Sequence, residues 1–439
     1  MMKPIKVGLL GLGTVGGGTL TVLRRNREEI ARRAGREIRV EAAVVRDVEK
    51  ARRLAGGALH ITTDAADVLN NPDIDIVVEL IGGYSPAKEW VMQAIANGKH
   101  VVTANKALVA LHGNEIFAAA QERGVMVAFE AAVGGGIPII KALREGLTAN
   151  RVEWIAGIIN GTSNFILTEM RDKGADFGDV LKQAQALGYA EADPTFDIAG
   201  VDAAHKLTIM AAIGFGIPMQ FDKTHIEGIA GLTSADIRYA GELGYRIKLL
   251  GITKRTAQGI ELRVHPALIP KKRLLANVDG VMNAVLVKGD AVGPTLYYGA
   301  GAGAEPTASA VVADLVDVTR MHTADPEHRV PHLAFQPDAL SDERILPIGE
   351  IRTAYYLRLR VEDKPGVLAD VTRILAGREI SIVAMIQKEP KAGENTVDVI
   401  LLTHATIEKN IDRAIAEIEN LPSVSGQAVR IRLEELNRS

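Results

Sequence analysis

The stretch from Glu191 to Lys206, EADPTFDIAGVDAAHK, gathers the side chains best suited to acid–base chemistry. From Ile198 to Phe215 the pattern predicts a helix that is nearly all apolar, with Asp202, His205, Lys206 and Thr208 as its chief polar residues. Asp202 and Lys206, four apart, share one face of it. As an exposed pair they would contribute only roughly a few tenths of a kcal/mol. An apolar helix is mostly buried, however, and a charge inside it needs a partner or a task. Desolvation loosens the proton of a partly buried ammonium while nearby carboxylates hold it, so Lys206 reads as a tunable proton donor of the kind carbonyl reduction needs. His205 points about a quarter-turn away and reads as a packed helix histidine.

A second lysine, Lys106, follows VVTAN (101–105) at the end of an apolar strand, the edge where open α/β sheets bind ligands. Gly11, Gly13 and Gly16 form GxGxxG between the apolar run Val7 to Leu10 and a helical run from Thr14 to Arg33. Glycines there allow a tight turn and let helix N–H groups face a pyrophosphate, so Gly11, Leu12, Gly13, Thr14, Val15 and Gly16 are candidate cofactor residues. At the end of the second strand, Arg46 could pair with a 2′-phosphate and Asp47 could instead hold a ribose hydroxyl. The first choice favours NADP and the second NAD. A further glycine-rich turn, EAAVGGGIP (130–138), could be a hinge, an anion nest or a carbonyl cage for a cation. Asn160-Gly-Thr162 matches a glycosylation sequon, read here as accidental because no secretory signal accompanies it.

The elements that must position these residues follow from periodicity. Apolar runs at Ile5 to Leu10, Val40 to Val45, Ile74 to Ile81, His100 to Thr103 and Val125 to Phe129 alternate with helical stretches, as in a doubly wound α/β domain with a parallel sheet. Residues 1–135, with a returning helix at about 305–330, are expected to form this Rossmann-type nucleotide-binding domain. Residues 136–304 mix longer helices with strands such as Val152 to Ile159 and Ile260 to Val264, an α+β catalytic and dimerisation domain. Residues 331–350 carry Pro337, Pro347 and several charges and read as a linker. Residues 351–439 then give strand, helix, strand, strand, helix, strand, the βαββαβ order of a ferredoxin-like plait.

Composition removes whole classes of chemistry. The chain has 439 residues, 47% hydrophobic and 24% charged, with 51 basic against 54 acidic side chains. A balance of −3 gives no long-range field for nucleic acid or anionic lipid. There is no cysteine, hence no disulfide, thiolate metal site or thiol nucleophile. No uninterrupted apolar run is long enough for a membrane span, which makes a cytoplasmic location the expectation.

Taken together, GLGTVGGG (11–18), VELIGG (78–83), TANKALVA (103–110), EAAVGGGIPII (130–140), NGTSNFIL (160–167), LGYAEADPTFDIAGVDAAHK (187–206) and GAGAEPTASAVVADL (301–315) resemble homoserine dehydrogenase, in that family's order over the first three-quarters of the chain. The resemblance implies reversible, NAD(P)H-dependent reduction of aspartate β-semialdehyde to homoserine, a step toward threonine, methionine and isoleucine. It implies Lys206 as proton donor, Lys106 as a second essential lysine near substrate and nicotinamide, and Glu191, Asp197 and Asp202 as substrate-orienting carboxylates. Gly188 and Gly303 match positions that contact cofactor. Backbone carbonyls of Glu130, Val133, Gly135 and Ile137 would hold a monovalent cation such as sodium.

The tail VEDKPGVLA (361–369) resembles an ACT domain, a small amino-acid sensor that usually pairs with a second copy. Gly366 would permit close approach of an amino acid to a helix N-terminus. The resemblance suggests threonine as the ligand and a homodimer or homotetramer as the assembly. Two other readings stand beside this one. A non-catalytic amino-acid sensor would bind without turnover, and a dehydrogenase for another small carbonyl compound would differ only in its pocket.

Overall fold

The computed structural model describes residues 3–57, 59–390 and 394–436; the outermost residues of the expected first and last domains, 1, 2 and 437–439, lie outside them. The described chain divides into two compact units.

The first unit comprises residues up to Gly161, Asp202–Thr224 and Val281–Glu343. Its centre is a parallel sheet of β1 (Ile5–Leu10), β2 (Ile38–Val44), β3 (His60–Thr62), β4 (Ile76–Glu79), β5 (His100–Thr103) and β6 (Val127–Ala128), in the order β3-β2-β1-β4-β5-β6. That is the doubly wound nucleotide-binding order, in which the direction of winding reverses between β1 and β4. The helical run after β1 is two helices, α1 (Thr14–Arg25) and α2 (Arg27–Ala34), interrupted at Asn26. Unbroken apolar spacing concealed that interruption. β3 was not expected either, because HIT is short and partly polar and lies at the sheet edge.

Further along, α3 (Lys106–Glu122) follows β5, and β7 (Val152–Ile158) pairs antiparallel with Met282–Gly289, which pairs with Gly293–Ala300. The helix carrying Asp202 and Lys206, α4 (Val201–Phe215), starts later than periodicity suggests, because Gly200 takes φ +87° and separates it from a short turn at Thr195–Ile198. It crosses β7 at Gly214, where an added Cβ would meet Ile155 at 3.1 Å. The returning helix, α5 (Ala304–Met321), buries Val311, Val312 and Leu315 in one core with Val7, Leu9, Val78 and Val102. It approaches α1 so closely that a Cβ at Gly18 would lie 2.5 Å from the Ala304 carbonyl.

The second unit comprises Thr162–Val201, His225–Gly280 and the described residues from Arg344 onward. Tyr245–Arg255 and Ile260–Pro270 form a long antiparallel pair. The C-terminal module is the expected plait: Val429–Leu433, Arg352–Glu362, Thr396–Thr403 and Ile382–Gln387 are antiparallel neighbours in that order. Helices Val367–Gly377 and Glu408–Glu419 pack Val371, Leu375, Ile411 and Ile418 against Leu357, Leu359 and Val399. Its last strand also runs parallel to Ile260–Pro270, Ala267 opposite Arg432. The contact division therefore cuts across the sequence-based limits, splitting residues 136–304 between the units. The segment expected to be a linker is pinned on both sides of the cut. His332 accepts the Val127 N–H at 3.1 Å within the first unit, and Ile345 bridges to Ile260 within the second. Burial pushes His332 down to about 4, so its ring stays neutral and can accept.

Candidate active site

The nucleotide end is built by β1 and α1. Gly11 has φ +102°, and a Cβ there would press on Leu80 and Ile81 at 3.0 Å. A Cβ at Gly16 would lie 2.5 Å from the Gly11 carbonyl. Gly13 differs: it is the N-cap of α1, has no side-chain cap, and a Cβ on it would meet nothing within 4 Å. The first-turn N–H groups of α1 thus face an open cradle without a competing side chain, as a pyrophosphate requires. Leu12 is in the core and Val15 packs against it, so their contribution to a nucleotide would come from the backbone, while Thr14 is exposed. After β2, Arg46 is exposed, whereas the Asp47 carboxylate is engaged as the N-cap of helix Val48–Ala55, accepting the Lys50 N–H at 2.9 Å. Gly303, at φ +125°, caps the start of α5.

At the catalytic end, burial decides between the readings of the Asp202–Lys206 pair. Asp202 is 3% and Lys206 8% exposed. Lys206 Nζ donates to Asp202 Oδ2 and to the Ile159 carbonyl, both at 2.7 Å. Lys106 Nζ lies 3.0 Å from the other oxygen, Oδ1. One carboxylate thus bridges two ammonium groups carried by different helices, Lys106 on the first turn of α3 and Lys206 within α4. Burial works to raise the Asp202 carboxyl, but the Lys206 and Lys106 charges and the hydrogen bonds from Lys206 and Asn160 outweigh it and hold it well below the usual carboxylate range. His205 packs against Phe221 with the rings tilted by 42° and centroids 4.5 Å apart, and burial pushes it down to about 4, which agrees with a packed neutral ring.

Sequence reasoning passed over Asn160. Its side chain is buried and donates to Asp202 Oδ2 at 2.8 Å, so the apparent sequon is an internal polar contact. The polarity of NGT within an apolar context was the available signal.

The turn after β6 buries all four residues expected to offer carbonyls, Glu130, Val133, Gly135 and Ile137. Gly135 has φ +52°, and a Cβ on it would strike the Gly301 carbonyl at 2.6 Å. The Glu130 carboxylate is turned to the N–H groups of Ile140 and Lys141 at 2.9 and 2.8 Å, and its own N–H donates to Asp314 at 2.8 Å. Among the described residues no cluster of three carboxylates or imidazoles could hold a metal ion. A buried turn with neutral backbone oxygens suits a monovalent cation better than a divalent one, so the residues present fit that group.

Glu191, Asp197 and Gly188 belong to the second unit. Glu191 and Gly188 are exposed and Asp197 is half-buried. The Thr162 hydroxyl lies 2.7 Å from the Tyr189 carbonyl and 3.0 Å from Asp197 Oδ2, so one proton serves two acceptors, and Ser163 donates to the Asp197 carbonyl at 3.0 Å.

A bare glycine turn at the switch point of a parallel sheet, with a buried carboxylate held between a buried and a half-buried lysine in the same unit, defines a nucleotide-dependent oxidoreductase. Family models resolve the class. That of the homoserine dehydrogenase NAD-binding domain matches residues 11–130, that of homoserine dehydrogenase 138–316 and that of the ACT domain 355–423. Homoserine dehydrogenase of Pseudomonas aeruginosa is 66% identical, over 99% of this chain and 100% of its own. The crystal structure of a homoserine dehydrogenase from Thiobacillus denitrificans is 75% identical, with TM-score 0.96 over 99% of both chains. Homoserine dehydrogenase of Staphylococcus aureus is 33% identical, with TM-score 0.77 over 99% of this chain and 100% of its own. The chain belongs to the homoserine dehydrogenase family, carries an NAD(P)-binding domain and ends in an ACT domain. Among the described residues no helix is long and apolar enough to cross a membrane.

Proposed function

We propose that the protein reduces L-aspartate 4-semialdehyde reversibly to L-homoserine in the route to threonine, methionine and isoleucine, with NADP preferred to NAD. The observation that carries the mechanism is the buried Asp202 bridge between Lys106 and Lys206. When bound, the nicotinamide cofactor supplies the hydride to the aldehyde carbon. Lys206 gives a proton to the developing alkoxide oxygen and takes it back in the reverse direction. Ile159 and Asp202 hold its ammonium from two sides, so its position is set before substrate arrives. Lys106 faces substrate and nicotinamide, with Asp202 holding its charge. Glu191, Asp197 and Asp202 orient the substrate ammonium. Gly11, Leu12, Gly13, Thr14, Val15 and Gly16 receive the pyrophosphate, with Lys106, Gly188 and Gly303 contacting the rest of the cofactor. NADP is favoured because Arg46 is exposed while Asp47 is engaged in capping.

The carbonyls of Glu130, Val133, Gly135 and Ile137 would hold sodium. In the ACT domain Gly366, at φ +95°, starts helix Val367–Gly377 without a side-chain cap, and a Cβ there meets nothing within 4 Å; we assign threonine to this turn as feedback ligand. The assembly is a homodimer or homotetramer in the cytoplasm.

The deciding experiment is homoserine-dependent reduction of NADP and of NAD by purified protein in sodium buffer, with and without threonine. Turnover faster with NADP and inhibited by threonine is expected. Folded protein that turns over with neither cofactor would overturn the enzymatic reading in favour of a sensor, and preference for NAD would remove the assignment of Arg46.

A further inference from the structure

Every residue of β4 is aliphatic except the last: the strand reads IVVE, and Glu79 is fully buried. A buried carboxylate is costly without dedicated donors. Here the donors come from two different turns. Glu79 Oε1 accepts the N–H groups of Ile81 and Gly82, at 2.8 and 3.0 Å, in the turn that follows β4. Glu79 Oε2 accepts the hydroxyl of Thr103 at 2.7 Å, its direct neighbour in the β4–β5 register. Having given its proton away, Thr103 Oγ1 accepts the Asn105 N–H at 3.0 Å. Asn105 then closes the circuit, its Nδ2 donating to the Gly83 carbonyl at 2.7 Å and its Oδ1 accepting the Leu108 N–H at 3.1 Å as the N-cap of α3. The first residue of α3 is Lys106.

We infer that Glu79 is a positioning residue for Lys106: through Thr103 and Asn105 it locks the turn after β4 to the turn after β5 and fixes where the Lys106 ammonium emerges toward Asp202. The inference rests on the reading of Lys106 given above. The network has a direction, because Glu79 only accepts, Thr103 relays, and Asn105 both donates and accepts. Replacing the acid by its amide puts a donor where another donor points. A valine at 103 removes both the proton for Glu79 and the acceptor for Asn105, while a serine keeps them.

The test uses the full-length enzyme with Glu79→Gln, Thr103→Val and Thr103→Ser, each alone and combined with Lys106→Ala. For Glu79→Gln and Thr103→Val, kcat should fall about 10–100-fold, by more than any rise in the KM for homoserine, because small displacements of a positioned group act on the reacting geometry. Thr103→Ser should restore most of kcat. In the Lys106→Ala background neither Glu79→Gln nor Thr103→Val should lower kcat further, since the group they position is gone. Parental kcat in folded Glu79→Gln and Thr103→Val, or losses that multiply with that of Lys106→Ala, would overturn the inference. If Glu79→Gln does not fold, the Thr103 pair decides. Parental turnover in Lys106→Ala alone would instead sink the reading of Lys106, and this inference with it.

Discussion

Asp202 shows how much a single residue's surroundings decide. Spacing alone placed it beside Lys206, and a pair four apart on a helix is commonplace at a protein surface. The apolar letters around it were the legible sign of burial. Its second partner, Lys106, and its third, Asn160, were not legible as partners, because they reach it through the tertiary structure from other elements. For the same reason the donors to Glu79 could not be read from a strand that looks simply aliphatic. Two expected outcomes belong at this scale. Lys206→Ala should lower turnover by about 10²–10⁴-fold while leaving cofactor affinity, measured by nicotinamide fluorescence titration, nearly unchanged. Equal turnover in mutant and parent would remove Lys206 from the mechanism. Asp202→Asn should cost about 3 kcal/mol in urea unfolding, because it leaves the buried Lys206 ammonium without its counter-charge; a loss near zero would show that the bridge carries no structural load.

At the scale of elements, the glycine turn separates shape from binding. Gly16 is demanded by the backbone of Gly11, which a Cβ would overlap, whereas Gly13 has open space and a φ of −84° that alanine can adopt. Gly16→Ala should therefore lower both the melting temperature and cofactor affinity, while Gly13→Ala should lower affinity by about tenfold or more with the melt unchanged, because its methyl intrudes only where the pyrophosphate approaches. Tight cofactor binding by Gly13→Ala would move the phosphate site elsewhere. Element existence was legible where runs were strongly apolar: β1 and β5 have the expected limits, and the C-terminal elements follow the expected order. It failed where structure depends on a single backbone event, as at Asn26 between α1 and α2, or on the company of a neighbour, as for the short edge strand β3. The proline- and charge-rich stretch 331–350 nonetheless buries Leu333, Ile345 and Leu346, apolar residues too scattered to show a period.

Across the whole chain, the grouping into two units was the least legible feature, since it depends on pairings between residues far apart in sequence. Arg432, on the last strand, bonds to Glu408 of the plait and, at 2.7 Å, to Glu227, which lies near the parallel partner strand. Burial opposes ionisation of Glu227, but the His225 hydrogen bond and the Arg432 charge hold it at about 2, below the ordinary glutamate value of 4.5. A carboxylate depressed on folding contributes stability that is fully present above its unfolded value and is lost as pH falls through the folded one. Urea midpoints should therefore drop as pH falls from 4.5 toward 2, and Glu227→Gln should make that drop shallower; an unchanged slope would show that other carboxylates govern acid unfolding. The same strand bears on protein engineering. Residues Ile260–Pro270 are buried throughout, with Tyr245–Arg255 on one side and Val429–Leu433 pairing on the other. Cutting the chain before Arg352 would uncover Ala267 and Leu268, which pair with Arg432 and Leu433, while His225–Ile226 and Ile345 keep their places along the same side, and a bared apolar stretch of strand edge can recruit another truncated chain. Removal of the C-terminal module should therefore favour association of the truncated chain, whereas a substitution at the Gly366 turn leaves that edge covered.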